Sequence, residues 1–193
     1  MCMSQGRTNS IAIIGHTRGI GKAIADLYRN KGYDVIGMSR SNGYDITDEQ
    51  EKIVDAVQDC GFVVINAYAG RSQLNLLKNM YGRYNNDSKK IAVITSTSGT
   101  SEGKDENFDD IDYKQYCDDK KELIEYIKQL QQDLLYRKMS VYDVCPDVVD
   151  TDMTKGLWTI LPKLSPKEVA KAVSYCLEST FNINMIVIQK NAG

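Results

Sequence analysis

The chain has 193 residues, 42% hydrophobic and 26% charged, which is enough to bury one sizeable core and too few for two substantial domains. Its 24 basic and 26 acidic side chains leave a formal charge of -2 at pH 7 with no basic stripe, so nucleic acid is not an expected partner. The five cysteines (Cys2, Cys60, Cys117, Cys145 and Cys176) stand far apart without Cys-x-x-Cys spacing, which argues for reduced core thiols and against zinc, any other metal or a redox dithiol.

The first ten residues are polar and lack the apolar run of a secretion signal, and no stretch approaches the roughly 20 apolar residues that span a bilayer. A soluble cytoplasmic protein with no membrane partner is the expectation. Ile11-Ala12-Ile13-Ile14 then reads as a strand buried on both faces of a parallel sheet. A helix follows, marked by Ile20, Ile24 and Leu27, and closes near Gly32. Further strands are expected at 34–38, 62–65, 91–95, 141–145 and 184–188, and helices at 48–59, 72–83, 113–137 and 166–178. Leu123, Ile124, Ile127, Leu130 and Leu134 stripe the longest helix. Strands alternating with helices predict a doubly wound parallel sheet of Rossmann type, an α/β protein in three α/β/α layers, with residues 1–193 as one domain. The acidic run over 102–119 predicts a solvated loop that feeds the long helix, where carboxylates suit exposed N–H groups.

Between the first strand and first helix stands Gly15-His16-Thr17-Arg18-Gly19-Ile20-Gly21. Glycines at that place let backbone approach a diphosphate lying on the positive end of the helix. The spacing resembles the turn of the short-chain dehydrogenases and reductases, usually Thr-Gly-x-x-x-Gly-Ile-Gly, and the resemblance extends over residues 11–153. It implies that Gly15, Thr17, Arg18, Gly19, Ile20 and Gly21 bind the cofactor. At the end of the second strand Ser39 and Arg40 stand where NAD users of the family place an acid. A guanidinium binds a 2'-phosphate that a carboxylate would repel, so Arg40 and Arg18 favour NADP(H) over NAD(H). Asp45-Ile46 resembles the family's pair at the adenine, and Asn66-Ala67-Tyr68-Ala69-Gly70 its Asn-Asn-Ala-Gly segment. Only four residues separate Arg40 from Asp45, so the helix and most of the strand usually found there are missing.

Further matches in chain order concern hydride transfer, which needs a proton donor and a polarising hydrogen bond at the carbonyl oxygen. Ser96, three residues before Gly99, resembles the family's serine, and Ser98 is the alternative. Tyr116 and Lys120, four apart on one helical face, resemble its tyrosine and lysine. An ammonium about 4 Å from a phenol contributes about 4 kcal/mol at an effective dielectric near 20, so Lys120 is expected to draw Tyr116 toward neutrality. Asn75 is the residue the resemblance offers for a fourth, asparagine member. Pro146-Asp147-Val148-Val149-Asp150-Thr151-Asp152-Met153 resembles Pro-Gly-x-Val-x-Thr-x-Met, which implies nicotinamide contacts from Pro146, Val149 and Thr151. Asp147 replaces the glycine, and His16, the sole histidine, reads as a turn residue.

The resemblance implies a hydride-transferring oxidoreductase acting on a small carbonyl or alcohol, assembled as a homodimer or homotetramer through the helix bearing Tyr116. The short 154–164 segment implies a small lid. A protein that senses or scaffolds through NADP(H) without turning it over is the alternative. The chain is too short for the additional substrate subdomain of a nucleotide-sugar epimerase or dehydratase.

Overall fold

The computed structural model describes residues 9–100, 112–132, 138–157 and 161–191. The acidic segment around 102–112, the final turn expected of the long helix and the centre of the 154–164 segment fall wholly or largely outside them.

Six strands form one sheet: β1 (Ser10–Ile14), β2 (Asp34–Met38), β3 (Phe62–Ile65), β4 (Lys90–Ile94), β5 (Ser140–Pro146) and β6 (Met185–Ile188). Every pairing is parallel and the order is β2-β1-β3-β4-β5-β6. The helices are α1 (Gly19–Asn30), α2 (Gln50–Ala56), α3 (Ser72–Tyr84), α4 (Tyr113–Gln132) and α5 (Pro166–Glu178). One face of the sheet packs on α1 and α5, the other on α2, α3 and α4. This is the doubly wound, three-layer architecture read from the sequence.

Strand β1 shows why its four apolar residues run without interruption. Ile11 and Ile13 enter the α1–α5 layer while Ala12 and Ile14 enter the other, and all four are fully buried. Burying an isoleucine contributes about 2 kcal/mol, so both faces of this strand anchor the fold. The missing segment after Arg40 has a direct result: β2 is an edge strand, and a 3-10 turn over Arg40–Asn42 leads toward α2.

Helix ends follow local chemistry. At α5, Ser165 Oγ accepts from the Glu168 amide, Glu168 returns a bond from the Ser165 amide, and Pro166 occupies the first turn. Helix α2 is shorter than the expected 48–59 span, and just past its end Lys89, at the foot of β4, donates to the carbonyls of Val57, Gln58 and Cys60. The next residue, Lys90, points to the opposite face and donates to Leu177 O and Ser179 O at the end of α5. Two consecutive lysines thereby tie one helix end in each layer. On α4, Leu123, Ile124, Ile127 and Leu130 are all buried in the protomer's own core.

Candidate active site at the carboxyl ends of the strands

Strand order reverses at β1, with β2 on one side and β3 on the other, and this opens a crevice beyond their carboxyl ends. The glycine turn sits there. Gly15 has φ +90°, its amide donates to Met38 O, and a Cβ on it would lie 2.8 Å from the Ala67 nitrogen. Gly21 tolerates no side chain at all, since its Cβ would stand 1.9 Å from Gly15 O. The Asn66 side-chain amide donates to that same carbonyl at 2.9 Å, so Asn66 and Ala67 clamp the turn from β3. Among the described residues no side chain caps the start of α1, and no acidic residue lies in its first turn. Free amides at the positive end of a helix, with no Cβ in the way, fit a diphosphate. Across from them, Gly19, Asp150, Thr151, Asp152 and Lys155 line a cleft of about 380 Å³.

Toward β2, Thr17, Arg18 and Arg40 are exposed, and neither arginine makes an ion pair among the described residues. Ser39 starts the 3-10 turn, and its hydroxyl meets Ser41 Oγ at 2.8 Å and donates to Asn42 Oδ1 at 3.2 Å. Asp45 uses its carboxylate to accept from the Thr47 amide, and the Ile46 side chain is core. Ile20 packs half-buried on the α1–α5 core.

Ser96, Tyr116 and Lys120 come together at the ends of β4 and α4. The Asp112 carboxylate accepts from the Gln115 amide and starts α4 just before Tyr116. Gly99 explains how close the helix comes: a Cβ there would lie 2.7 Å from the Lys120 carbonyl carbon. Ser96 Oγ accepts from the Ser98 amide at 3.2 Å and lies close enough to Tyr116 to act on its phenol. Ser98, the alternative serine, is 3.1 Å from the Tyr113 hydroxyl. Lys120 is 3% exposed, and its Nζ lies 5.6 Å from the Tyr116 ring centre and 5.3 Å from that of Tyr68.

Lys120 Nζ donates to Gln73 Oε1 at 2.7 Å and to Ile94 O at 3.0 Å. Gln73, fully buried on α3, donates in turn to Ile65 O and Ile94 O, so it staples the ends of β3 and β4 to the lysine. Asn75, chosen from the sequence for this place, is instead an exposed residue of α3. The helical turn puts Gln73 inward and Asn75 outward. Tyr68 was also missed; it packs edge-on against Tyr116 at 5.0 Å between centres and donates its hydroxyl to Asp119 Oδ2 at 2.9 Å.

The electrostatics correct one expectation. Burial pushes the Tyr116 phenol up to about 12, with the Ser96 hydrogen bond pulling the other way, and burial pushes Lys120 down to about 7. Burial opposes the charged form of each group, and the lysine does not bring the phenol toward neutrality. The phenol therefore keeps its proton through the physiological range.

The downstream loop closes the site. Pro146 ends β5, Val149 is buried against Leu164, and Thr151 opens a 3-10 turn with its methyl beside Gly19. Asp147 carries its amide to Ile188 O and accepts from the Thr97 hydroxyl at 2.9 Å, which shows how a carboxylate is accommodated where a glycine was expected. Among the described residues no cluster of His, Cys, Asp and Glu could hold a metal ion, and no helix is long and apolar enough to cross a membrane.

No protein-family model and no curated protein matches the sequence. The fold is that of the short-chain dehydrogenases. A short chain dehydrogenase from Burkholderia cenocepacia in complex with NADP superposes with a TM-score of 0.76 at 14% identity, over 96% of this chain and 90% of that one. The 3-alpha-hydroxysteroid dehydrogenase from Pseudomonas sp. complexed with NADH gives 0.72 at 20% identity, over 93% and 94%. A small-chain dehydrogenase in complex with NADPH gives 0.71 at 16% identity, over 94% and 95%.

Proposed function

We propose that the chain is a short-chain dehydrogenase/reductase that uses NADP(H) to interconvert a small carbonyl compound and its alcohol. The observation that carries this reading is the convergence of Ser96, Tyr116 and Lys120 beside a glycine-lined crevice at an uncapped helix start. The bound nicotinamide would supply or accept the hydride. Gly15, Gly19 and Gly21 would hold its diphosphate, Asn66 and Ala67 keep the turn in shape, and Pro146, Val149 and Thr151 face it from the β5 loop. Arg18, Ser39 and Arg40 offer donors for a 2'-phosphate.

Tyr116, neutral because it is buried, gives its proton to the carbonyl oxygen. Ser96, whose oxygen already accepts from Ser98 N, keeps its own proton for that same oxygen. Lys120, with two of three N–H groups engaged among the described residues, retains one for a ribose hydroxyl and lowers the cost of phenolate when charged. Assembly as a homodimer or homotetramer, and a cytoplasmic location, are proposed on the resemblance.

Calorimetric titration with NADPH and NADH tests the cofactor: tighter NADPH binding is expected, and tighter NADH binding overturns the preference. A carbonyl panel tests the chemistry, with Tyr116→Phe expected to lower kcat about a thousandfold at unchanged cofactor affinity. Full activity in that variant defeats the mechanism. The non-catalytic sensor reading draws on Asp147 beside the serine turn, and NADPH binding without consumption across the panel would favour it. A monomer mass by light scattering ends the assembly proposal.

A further inference from the structure

Behind the reacting side chains lies a second layer of buried polar groups that hydride transfer does not use. Asp143 on β5 is 2% exposed, as is Thr95 just past β4. Side chains of β5 alternate between layers: Val141 packs among α2, α3 and α4, whereas Tyr142 and Val144 pack against α1 and α5. Asp143 therefore points toward α4, the helix that carries Lys120. Thr95 Oγ1 donates to Asp143 Oδ1, and one residue earlier Ile94 O accepts from Lys120 Nζ at 3.0 Å. Carboxylate and ammonium thus address two neighbouring residues, Ile94 and Thr95, from within a region closed to water.

A central strand of a parallel sheet needs no charge at such a position, and a lone buried carboxylate there would cost several kcal/mol. A lone buried ammonium is as costly. Each reduces the cost of the other.

We propose that Asp143 is a positioning residue for Lys120: its carboxylate, held by Thr95, is the buried counter-charge that keeps the lysine an ammonium near neutral pH. The inference rests on the proposed function only for what that charge is used for; the pairing itself stands apart from it. Burial is the main influence that drives Lys120 down, and Asp143 is the largest that holds it up. Burial likewise raises Asp143 to about 6, opposed first by the Thr95 hydrogen bond and then by Lys120 and Lys128.

The other groups facing Lys120 do not replace this counter-charge. Asp119, on the same helix, also holds Lys120 up but ranks behind Asp143, and its carboxylate is shared with Tyr68 and Gln115. The Cys145 thiol on β5 is raised to about 11 by burial and is neutral at pH 7. Tyr68 and Tyr116 present ring faces, with both phenols raised by burial.

The test is an NMR titration of the cofactor-free protein labelled with 15N-lysine, following Lys120 Nζ, which is assigned by its loss in Lys120→Met. In Asp143→Asn the Lys120 midpoint is expected to fall by one pH unit or more, the scale of an opposite charge nearby. Thr95→Val should lower it by less, and Thr95→Ser should restore it. An unchanged midpoint in Asp143→Asn overturns the proposal. Should that variant not fold, the wild-type protein decides: Asp143 and Lys120 must titrate in linked steps, and two independent single-site curves refute the pairing. In turnover, Asp143→Asn should shift the pH profile of kcat with KM little changed. A protein that turns over no carbonyl yet shows the NMR shift upholds the pairing and defeats the proposed function.

Discussion

Two buried lysines at opposite ends of the sheet make a useful contrast. Lys89, at the amino end of β4, is 5% exposed and donates to three backbone carbonyls, with its Nζ 4.6 Å from the Tyr84 ring centre. All three of its N–H groups are accounted for, and its targets are a helix end. Lys120, at the carboxyl end, is as deeply buried but makes two bonds among the described residues, one of them to a side chain placed for the purpose. A buried ammonium with every donor matched to backbone belongs to the scaffold. One with a donor left over, beside a phenol and a serine, is equipped to meet a ligand.

The sharpest way to break that contrast is Lys120→Met. Its kcat per folded molecule should fall about a thousandfold, with stability also lowered because Asp143 loses its counter-charge, and a retained kcat would place this lysine with the scaffold. Lys89→Met should do the reverse. Taking their shared donor from the carbonyls of Val57, Gln58 and Cys60 should cost about 3 kcal/mol in denaturant melts, with activity per folded molecule unchanged.

Smaller effects refine the picture. Gln73→Leu removes one acceptor from Lys120 and should lower kcat about tenfold, or roughly 1.4 kcal/mol, and shift its pH profile; an effect on KM alone would argue for a packing role. Lys120 also marks how stability depends on pH. Lys120 has a folded value of about 7 against 10.5 for the free side chain, so the unfolded chain binds more protons between those limits. Lys120 therefore contributes stability that rises with pH across that window, a contribution that should disappear in Lys120→Met.

Much of the fold was legible because parallel strands buried on both faces announce themselves as apolar runs. Strand β2 and helix α5 fall where the sequence placed them, the latter on the strength of Ser165, Pro166 and Glu168. The end of α2 was not legible, since the carbonyls just past it are held by a lysine more than thirty residues downstream. In the site, the glycine turn, Ser96, Tyr116 and Lys120 were readable from type and order. Gln73 was not, because a glutamine inside an apolar helical stripe gives no signal until the helix is turned toward β3 and β4; residue type favoured Asn75, two positions away. The Tyr116 expectation weighed the charge of Lys120 but not the burial that both side chains share.

The strand order also governs how the protein is assembled during synthesis. Once residue 65 has emerged, β1 has both of its neighbours, and from there β4, β5 and β6 are added one after another to the same growing edge. Each new strand joins an edge, and none is inserted between strands already paired. Vectorial growth of this kind shortens the time that an apolar strand spends unpaired on the ribosome, which is the interval in which parallel sheets are most prone to aggregate.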